Sequence, residues 1–384
     1  MEIEIKTLTP LWTGGVEAGK VDRIHETGIL GSLRWWMEVL VRGMGGNVCD
    51  PTEQKCSSKN GLCEVCKIFG AEGQKRRFRL EVQETQVSDA SVQHRMKANR
   101  TYTDSKGHQK KPTWYFQNPP KFGSFTIQIQ SLHPDFKPEV IGWLVQFIAD
   151  WSALGARPQM GFGVIQVEGV IQVEGKRIDK ESLDDWLEKV EDEHTYPELP
   201  SLQNIFLAKI QPKDLSKSFT EQDTFNLKYD LRQLFRSEKK IRTEEKKNEV
   251  KSGSKGLILK KDRKDNSLGE GDGDKDLRHF IMGTVKGDRQ AAKIKISRPY
   301  IENGKSTIRV WGWVPTKAEV YQNDWDREKI VDAIYQHLTA KYILHDWREM
   351  NSKRDKKTPN ESEAAAFLRS LLKLNAEESS NIGK

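Results

Sequence analysis

The strongest constraint on the fold is one order of hydrophobic periods that occurs twice along the chain. "EIEIKTL" (2–8) alternates apolar and polar residues at period two, as a half-buried strand does. "GSLRWWMEVLVR" (31–42) then sets Leu33, Trp36, Met37 and Leu40 at helical spacing, which predicts a helix with Ser32 as N-cap and Arg34 in its first turn. "RFRLEVQETQV" and "GSFTIQIQSL" alternate again, and "PEVIGWLVQFIADWSAL" (138–154) aligns Val140, Leu144, Phe147, Ile148 and Trp151 on one helical face. "GFGVIQV" closes the series as a strand, so the order is β-α-β-β-α-β, the split βαβ or ferredoxin-like order.

The same order follows the linker "DEHTYPELPS" (192–201), through "LQNIFLAKIQ", "FNLKYDLRQLF", "KIKISRPY", "STIRVWGWVP" and "DREKIVDAIYQHLTAKY". "KIFGAEGQ" (67–74) and "FIMGTVKGDRQ" (280–290) echo one another just before the second strand of each copy. The second copy is expected to end in a helix, "ESEAAAFLRSLLKL", and shows no glycine-rich loop of its own. The predicted fold class is therefore α+β, two tandem ferredoxin-like (RRM-like) domains at 1–191 and 202–384. Two domains also suit a length of 384 residues. Residues 93–112 form a polar, basic insertion expected to project as a finger, and 236–276 are charged, glycine-rich and expected to be mobile. The tandem "VIQVEG" at 164–175 reads as a strand, a kink at Gly169 and a continuing hairpin.

With 63 Lys and Arg against 56 Asp and Glu, the net charge is +7, a modest bias toward polyanionic partners. No apolar run approaches the ~20 residues of a membrane span, and the N-terminus lacks an apolar signal core, so a cytoplasmic protein without a membrane partner is expected. Cys49, Cys56, Cys63 and Cys66 give C-x6-C-x6-C-x2-C. Only the last pair has metal-ligand spacing, which leaves structural zinc, free thiols and a disulfide all open. The loop ahead of the first helix carries Thr13, Gly14, Gly15, Lys20 and Arg23, suited to anions, and Arg34 follows on the helix, where Glu38 is an equally good partner. Asp22 and His25 on the same loop raise general-base chemistry on a 2′-hydroxyl, against the plain reading of polar surface. In "GARPQMGFG", Arg157 offers charge, and Gly161 and Gly163 offer room for a sugar-phosphate chain or for a plain tight turn. "MGFGVIQV" lacks the aromatics of an RNA-recognition signature, and its glycines precede a strand rather than a phosphate-binding helix.

"TPLWTGG", "GILGSLRWWMEVLVR", "CEVCKIFG", "GARPQMGFG", "LRQLF" and "HFIMGTVKGDRQAAKIKIS" together resemble the RAMP superfamily, and within it the first RAMP subunit of the Cmr (type III-B CRISPR) RNA-guided effector complex. The resemblance spans nearly the whole chain. It implies antiviral defence through a non-catalytic RNA-binding subunit near the crRNA 3′ region, with crRNA, target RNA and other Cmr subunits as partners. It brings Ser32, Phe162, Lys286 and Arg289 into the RNA-binding set beside the loop residues above. Because related RAMP enzymes use an acid or a histidine near this place, an endoribonuclease using Asp22 or His25 is the alternative. The cysteine cluster and the charged insertion depart from the family pattern.

Overall fold

The alternation of the first residues becomes strand β1 (Glu2–Thr7), which buries Ile3, Ile5 and Thr7 and turns Glu2, Glu4 and Lys6 to solvent. The computed structural model describes residues 1–50, 56–59, 61–92, 95–97, 101–103, 106–111, 113–115, 118–173, 176–177, 180–187, 190, 194–235, 273–284, 289–317 and 325–372. After β1 come α1 (Glu26–Gly43), α2 (Glu64–Phe69) and β2 (Phe78–Asp89). The basic insertion holds four short strands, β3 (Arg95–Lys97), β4 (Tyr102–Thr103), β5 (Gln109–Lys110) and β6 (Thr113–Tyr115), with β4–β5 nested inside β3–β6. Then follow β7 (Lys121–Ser131), α3 (Glu139–Trp151), β8 (Ile165–Val173), β9 (Lys176–Arg177) and α4 (Lys180–Leu187). The first sheet is ordered β2-β7-β1-β8-β9, all neighbours antiparallel. At Gly169, β8 continues through an irregularity in its pairing with β1, so the tandem repeat from Ile165 to Val173 is one kinked strand.

The second half runs β10 (Ile205–Gln211), α5 (Glu221–Leu234), α6 (Gly273–Met282), β11 (Ile294–Ile296), β12 (Tyr300–Glu302), β13 (Lys305–Trp313), α7 (Arg327–Lys341), β14 (Ile343–Arg348) and α8 (Ala364–Leu371). Its sheet is ordered β11-β13-β10-β14, again antiparallel, with β12 pairing β13. The chain is thus mixed α and β with two antiparallel sheets. Counted within each half, both sheets place the four shared strands as second, third, first, fourth.

Three local expectations change. Helix α1 starts at Glu26 with His25 as its N-cap, so Ser32 is no cap and Arg34 lies beyond the second turn. The glycines of "ETGILGS" hid this start from propensity, whereas Ile29 and Leu33, both fully buried, anchor it through packing. The second copy does not pass straight to its terminal helix: "ILHDWR" forms β14 first, a strand masked in the sequence by its charged and aromatic mixture. Within 236–276, the last four residues open α6, while 236–272 lie outside the described residues.

The two halves share a seam. Helix α3 ends against β13, where Arg309 donates from Nη1 to the carbonyls of Ser152 (2.9 Å) and Ile148 (3.4 Å) and from Nε to Tyr300 Oη (2.8 Å). The guanidinium answers the Ser152 carbonyl beyond the helix's own ladder and shares the Ile148 carbonyl with the Ser152 amide. The loop 155–163 lies alongside: Arg298 N–H donates to Gly161 O at 2.9 Å. Helix α8 returns to the first half, burying Phe367, Leu368 and Leu371, and Trp151 Nε1 donates to Leu371 O at 2.8 Å.

At Gly163 the φ of 90° disfavours any side chain, and a Cβ would stand 2.0 Å from Leu154 O. Gly163→Val is therefore expected to lower thermal stability by on the order of 3 kcal/mol. Arg309→Met should cost a similar ~3 kcal/mol, because it removes the Arg309 donor from the buried Ser152 carbonyl and from Tyr300 Oη. Calorimetry of both variants checks this; an unchanged melting temperature for Arg309→Met would remove it as the tie between the halves.

Candidate nucleic-acid groove and cysteine cluster

The seam leaves an open groove of about 1280 Å³ between the halves. One wall is α1 (Gly28, Gly31, Ser32, Trp35) with the loop 152–159, and the other is α5, the end of α6, the segment 290–295 and β13. Five cations line it, Lys228, Arg232, Arg278, Lys293 and Lys295, together with Tyr229, Trp35, Trp36, Trp311 and Trp313. No carboxylate is among the lining residues described. The cations are oriented by backbone carbonyls: Lys228 donates to Gln159 O (2.9 Å), Arg232 to Gly283 O (3.2 Å), Lys293 to Phe280 O (3.1 Å) and Lys295 to Lys293 O (3.2 Å). Lys293 also sits 3.5 Å from the Phe280 ring centre and 5.2 Å from that of Trp313, and Lys295 sits 5.2 Å from that of Trp35.

Burial and like-charged neighbours make these ammonium groups reluctant. Burial, then the charge of Lys295, pushes Lys293 down to about 7. Burial alone brings Lys295 to about 8, and burial with nearby Arg232 brings Lys228 to about 8. The arrangement gathers positive charge beside aromatic side chains, which is what a single-stranded polyanion carrying stackable bases needs.

Of the residues predicted from sequence, Ser32 is in this groove, where its hydroxyl donates to Gly155 O (2.9 Å) and accepts from Gly155 N–H (2.8 Å). The others among the described residues are not in the groove lining. Gly161, Phe162 and Gly163 are buried, and the room the glycines provide is taken by the chain itself, by Arg298 at Gly161 and by Leu154 at Gly163. The expectation that this room receives RNA backbone is therefore corrected: the loop packs on the second half. Phe162 stacks on Trp12 at 6.1 Å between ring centres, under the Arg298 guanidinium at 4.7 Å. Arg157, at a left-handed φ of 59°, lays its guanidinium 3.8 Å from the Trp12 ring centre.

In the 13–25 loop, Thr13 is buried and its hydroxyl accepts from His25 N–H at 3.0 Å. Gly14 faces open space, whereas a Cβ on Gly15 would meet Lys20 O at 2.6 Å. Lys20 pairs with Glu17 and Arg23 with Glu26, both at the surface. His25 Nε2 meets Asp22 Oδ1 at 2.7 Å, and this hydrogen bond holds the Asp22 carboxyl below its ordinary range. Arg289 is exposed, and Lys286 lies outside the described residues. Sequence reasoning missed Lys228, Arg232, Arg278, Lys293 and Lys295. "KIKIS" carried a signal, because a lysine alternating with buried isoleucines must project to the opposite face of its strand.

The four cysteine sulfurs all lie within 4.8 Å of one another, and no disulfide joins them. Cys49 Sγ is 3.7 Å from both Cys63 Sγ and Cys66 Sγ, close to the ~3.8 Å edge of a tetrahedron whose metal–sulfur bonds are ~2.3 Å. The amides of Cys63 and Cys66 donate to Cys56 Sγ and Cys63 Sγ, each at 3.4 Å. Burial raises the Cys66 thiol to about 11, whereas amide and thiol donors draw Cys63 below its ordinary value despite its burial. The donor set and spacing fit a tetrathiolate metal.

The lysines generate a pH expectation. Phosphate favours the charged ammonium, so binding takes up protons, and affinity is full below about 7 and falls as pH rises through 7 to 8. Anisotropy titrations of single-stranded RNA at fixed salt should weaken by on the order of tenfold between pH 6.5 and 8.5. Lys293→Arg, which stays charged, should flatten the profile.

Residues 4–166 match the family model described as the RAMP superfamily. No curated protein matches the chain. Among solved structures, the chain is similar to Cmr1 from Pyrococcus furiosus in its apo form, at 14% identity and a TM-score of 0.41, covering 90% of this chain and 93% of that one. A chain of the type III-B Cmr-beta complex bound to cognate target RNA and AMPPnP in the presence of ssDNA matches at 10% identity and a TM-score of 0.43, covering 88% and 98%.

Proposed function

We propose that the chain is a non-catalytic RNA-binding subunit of a CRISPR type III-B (Cmr) effector complex, which contacts crRNA and target RNA backbone near the crRNA 3′ region. The observation that carries RNA binding is the groove, where five cations converge with Trp35, Trp313 and Tyr229, and where the described lining holds no carboxylate. The RAMP-superfamily match over 4–166 and the family motifs quoted above support the assignment to such a complex. Both sheets share one strand order, which supports reading the halves as tandem ferredoxin-like domains. Other Cmr subunits are then its protein partners, and the cytoplasm, where guide and target RNA meet, is its compartment.

A groove of this kind binds by charge and stacking rather than by base identity. Phosphate contacts set affinity, and each contributes about −0.7 to the slope of log K against log salt on a single strand. Arg232→Ala with Lys295→Gln should reduce that slope by about 1.4 in all. Lys6→Gln, on the solvent face of β1, should leave it unchanged. If RNA affinity is indifferent to salt, the groove is not the binding surface.

The non-catalytic assignment rests on the family resemblance. Asp22 and His25, 2.7 Å apart, are not among the groove-lining residues. Purified protein is expected to leave RNA intact with or without divalent metal, and Asp22→Ala and His25→Ala should leave guide-dependent cleavage by the assembled complex unchanged. Cleavage that disappears on His25→Ala would instead make the chain a ribonuclease.

We also propose that Cys49, Cys56, Cys63 and Cys66 hold one structural zinc. Metal analysis of protein prepared without chelator should return close to one equivalent per chain. Chelation should loosen residues 56–69 ahead of the sheets in hydrogen exchange. Metal-free protein with four freely reacting thiols would overturn the site.

A further inference from the structure

The cysteine cluster is tied to α1 by side chains that follow one row of the helix. Arg34 donates from Nη2 to Cys66 Sγ at 3.1 Å, from Nη1 to Gly70 O at 2.9 Å and from Nε to Glu38 Oε1 at 3.2 Å. The other Glu38 oxygen accepts from Arg42 Nη2 at 3.4 Å. Arg42 in turn donates to Cys49 O at 3.3 Å and to Pro200 O at 3.3 Å. Residues 34, 38 and 42 are spaced four apart, so they stack along one helix face, and both ends of the row reach the cluster. The other face of α1 presents Gly28, Gly31, Ser32 and Trp35 to the groove, and Pro200 also lines it. Tyr196, in the same linker, accepts from Val48 N–H at 2.8 Å and donates to Gly46 O at 3.0 Å.

We propose that Arg34 is the cationic outer partner of the metal–thiolate centre, and that the Arg34–Glu38–Arg42 row carries metal occupancy to the groove wall, so that zinc loading sets affinity for single-stranded RNA. This rests on the zinc reading above. Four thiolates around a divalent ion leave a net charge of about −2, which a guanidinium hydrogen-bonded to sulfur offsets. Removing the ion returns protons to the thiols and withdraws the charge that holds Arg34, and the row then loses its anchor at Cys66 while its far end still grips the linker. Arg34 is a positioning residue here, engaged by sulfur, carbonyl and carboxylate rather than by phosphate.

The test uses the full-length chain, its Arg34→Ala and Arg34→Lys variants, competition for zinc against a chromophoric chelator, and cobalt substitution. Arg34→Ala is expected to weaken zinc by about 10- to 100-fold, the usual effect of losing an outer-sphere partner. It should also shift the cobalt thiolate charge-transfer band while the tetrahedral ligand-field bands persist, and Arg34→Lys should recover part of the affinity. In parallel, removing zinc from the unmodified protein should weaken single-stranded RNA binding several-fold, and zinc-loaded Arg34→Ala should bind RNA as weakly as the zinc-free protein, with an unaltered salt slope. Unmodified protein that takes up no zinc overturns the metal reading itself. Zinc bound equally tightly by Arg34→Ala, or RNA affinity indifferent to zinc, leaves the metal and overturns the coupling. A salt slope lowered by about 0.7 in Arg34→Ala makes Arg34 a phosphate ligand and also overturns it.

Discussion

The arrangement depends on one buried cation. Arg309 is 2% exposed and crosses from β13 to the last turn of α3, where it answers carbonyls of Ile148 and Ser152 that water cannot reach. Desolvating a guanidinium is costly, so the position is tolerable only because Tyr300 and those carbonyls receive its donors. Arg309 ties the second sheet to the end of α3 beside an apolar core that both halves share, with Leu207 and Trp311 packed in the same cluster as Phe147 and Trp151. Glycines at 161 and 163 let the loop beside α3 close on Arg298 and Leu154, and α8 returns from the far end of the chain to cover α3.

Because the seam is fixed, its open side is a groove with walls from both halves, and its chemistry opposes folding. Burial depresses Lys228, Lys293 and Lys295, with repulsion from Arg232 adding at Lys228 and from Lys295 at Lys293, so each destabilises the native state at pH values where the unfolded chain would hold its proton freely. Elsewhere the same chain satisfies buried charges: Arg348 pairs with Asp355 at 2.8 Å and Arg354 with Glu349 at 2.9 Å. A carboxylate in the groove would have relieved the lysines, and the lining described contains none. Phosphate would answer these cations, and the tryptophans beside the lysines suit the bases that accompany it.

Much of the architecture was legible because alternation and helical spacing record which face of an element is buried. The echo of "KIFGAEGQ" in "FIMGTVKGDRQ" is structural: α2 and α6 both end at a glycine of positive φ, Gly70 and Gly283, followed by a single bridge closing the turn. The start of α1 was hidden because tertiary burial of Ile29 and Leu33 overrides two unfavourable glycines. Strand β14 was hidden because "ILHDWR" spends its polar side chains on local ion pairs, Asp346 with Lys357 and Arg348 with Asp355, rather than on solvent. The site was the least legible part. Glycines and arginines in loops look alike whether they receive a ligand or their own backbone, and the groove assembles from Lys228, Lys293 and Trp35, far apart in sequence.

The central claim is that RNA lies between the halves, and photo-crosslinking tests it most directly. Single-stranded RNA carrying 5-iodouridine, irradiated on the full chain and mapped by mass spectrometry, should attach to Trp35, Tyr229 or Trp313, aromatic side chains lining the groove. Crosslinks confined to exposed Phe122, with none on those three, would place the RNA outside the groove and contradict the account.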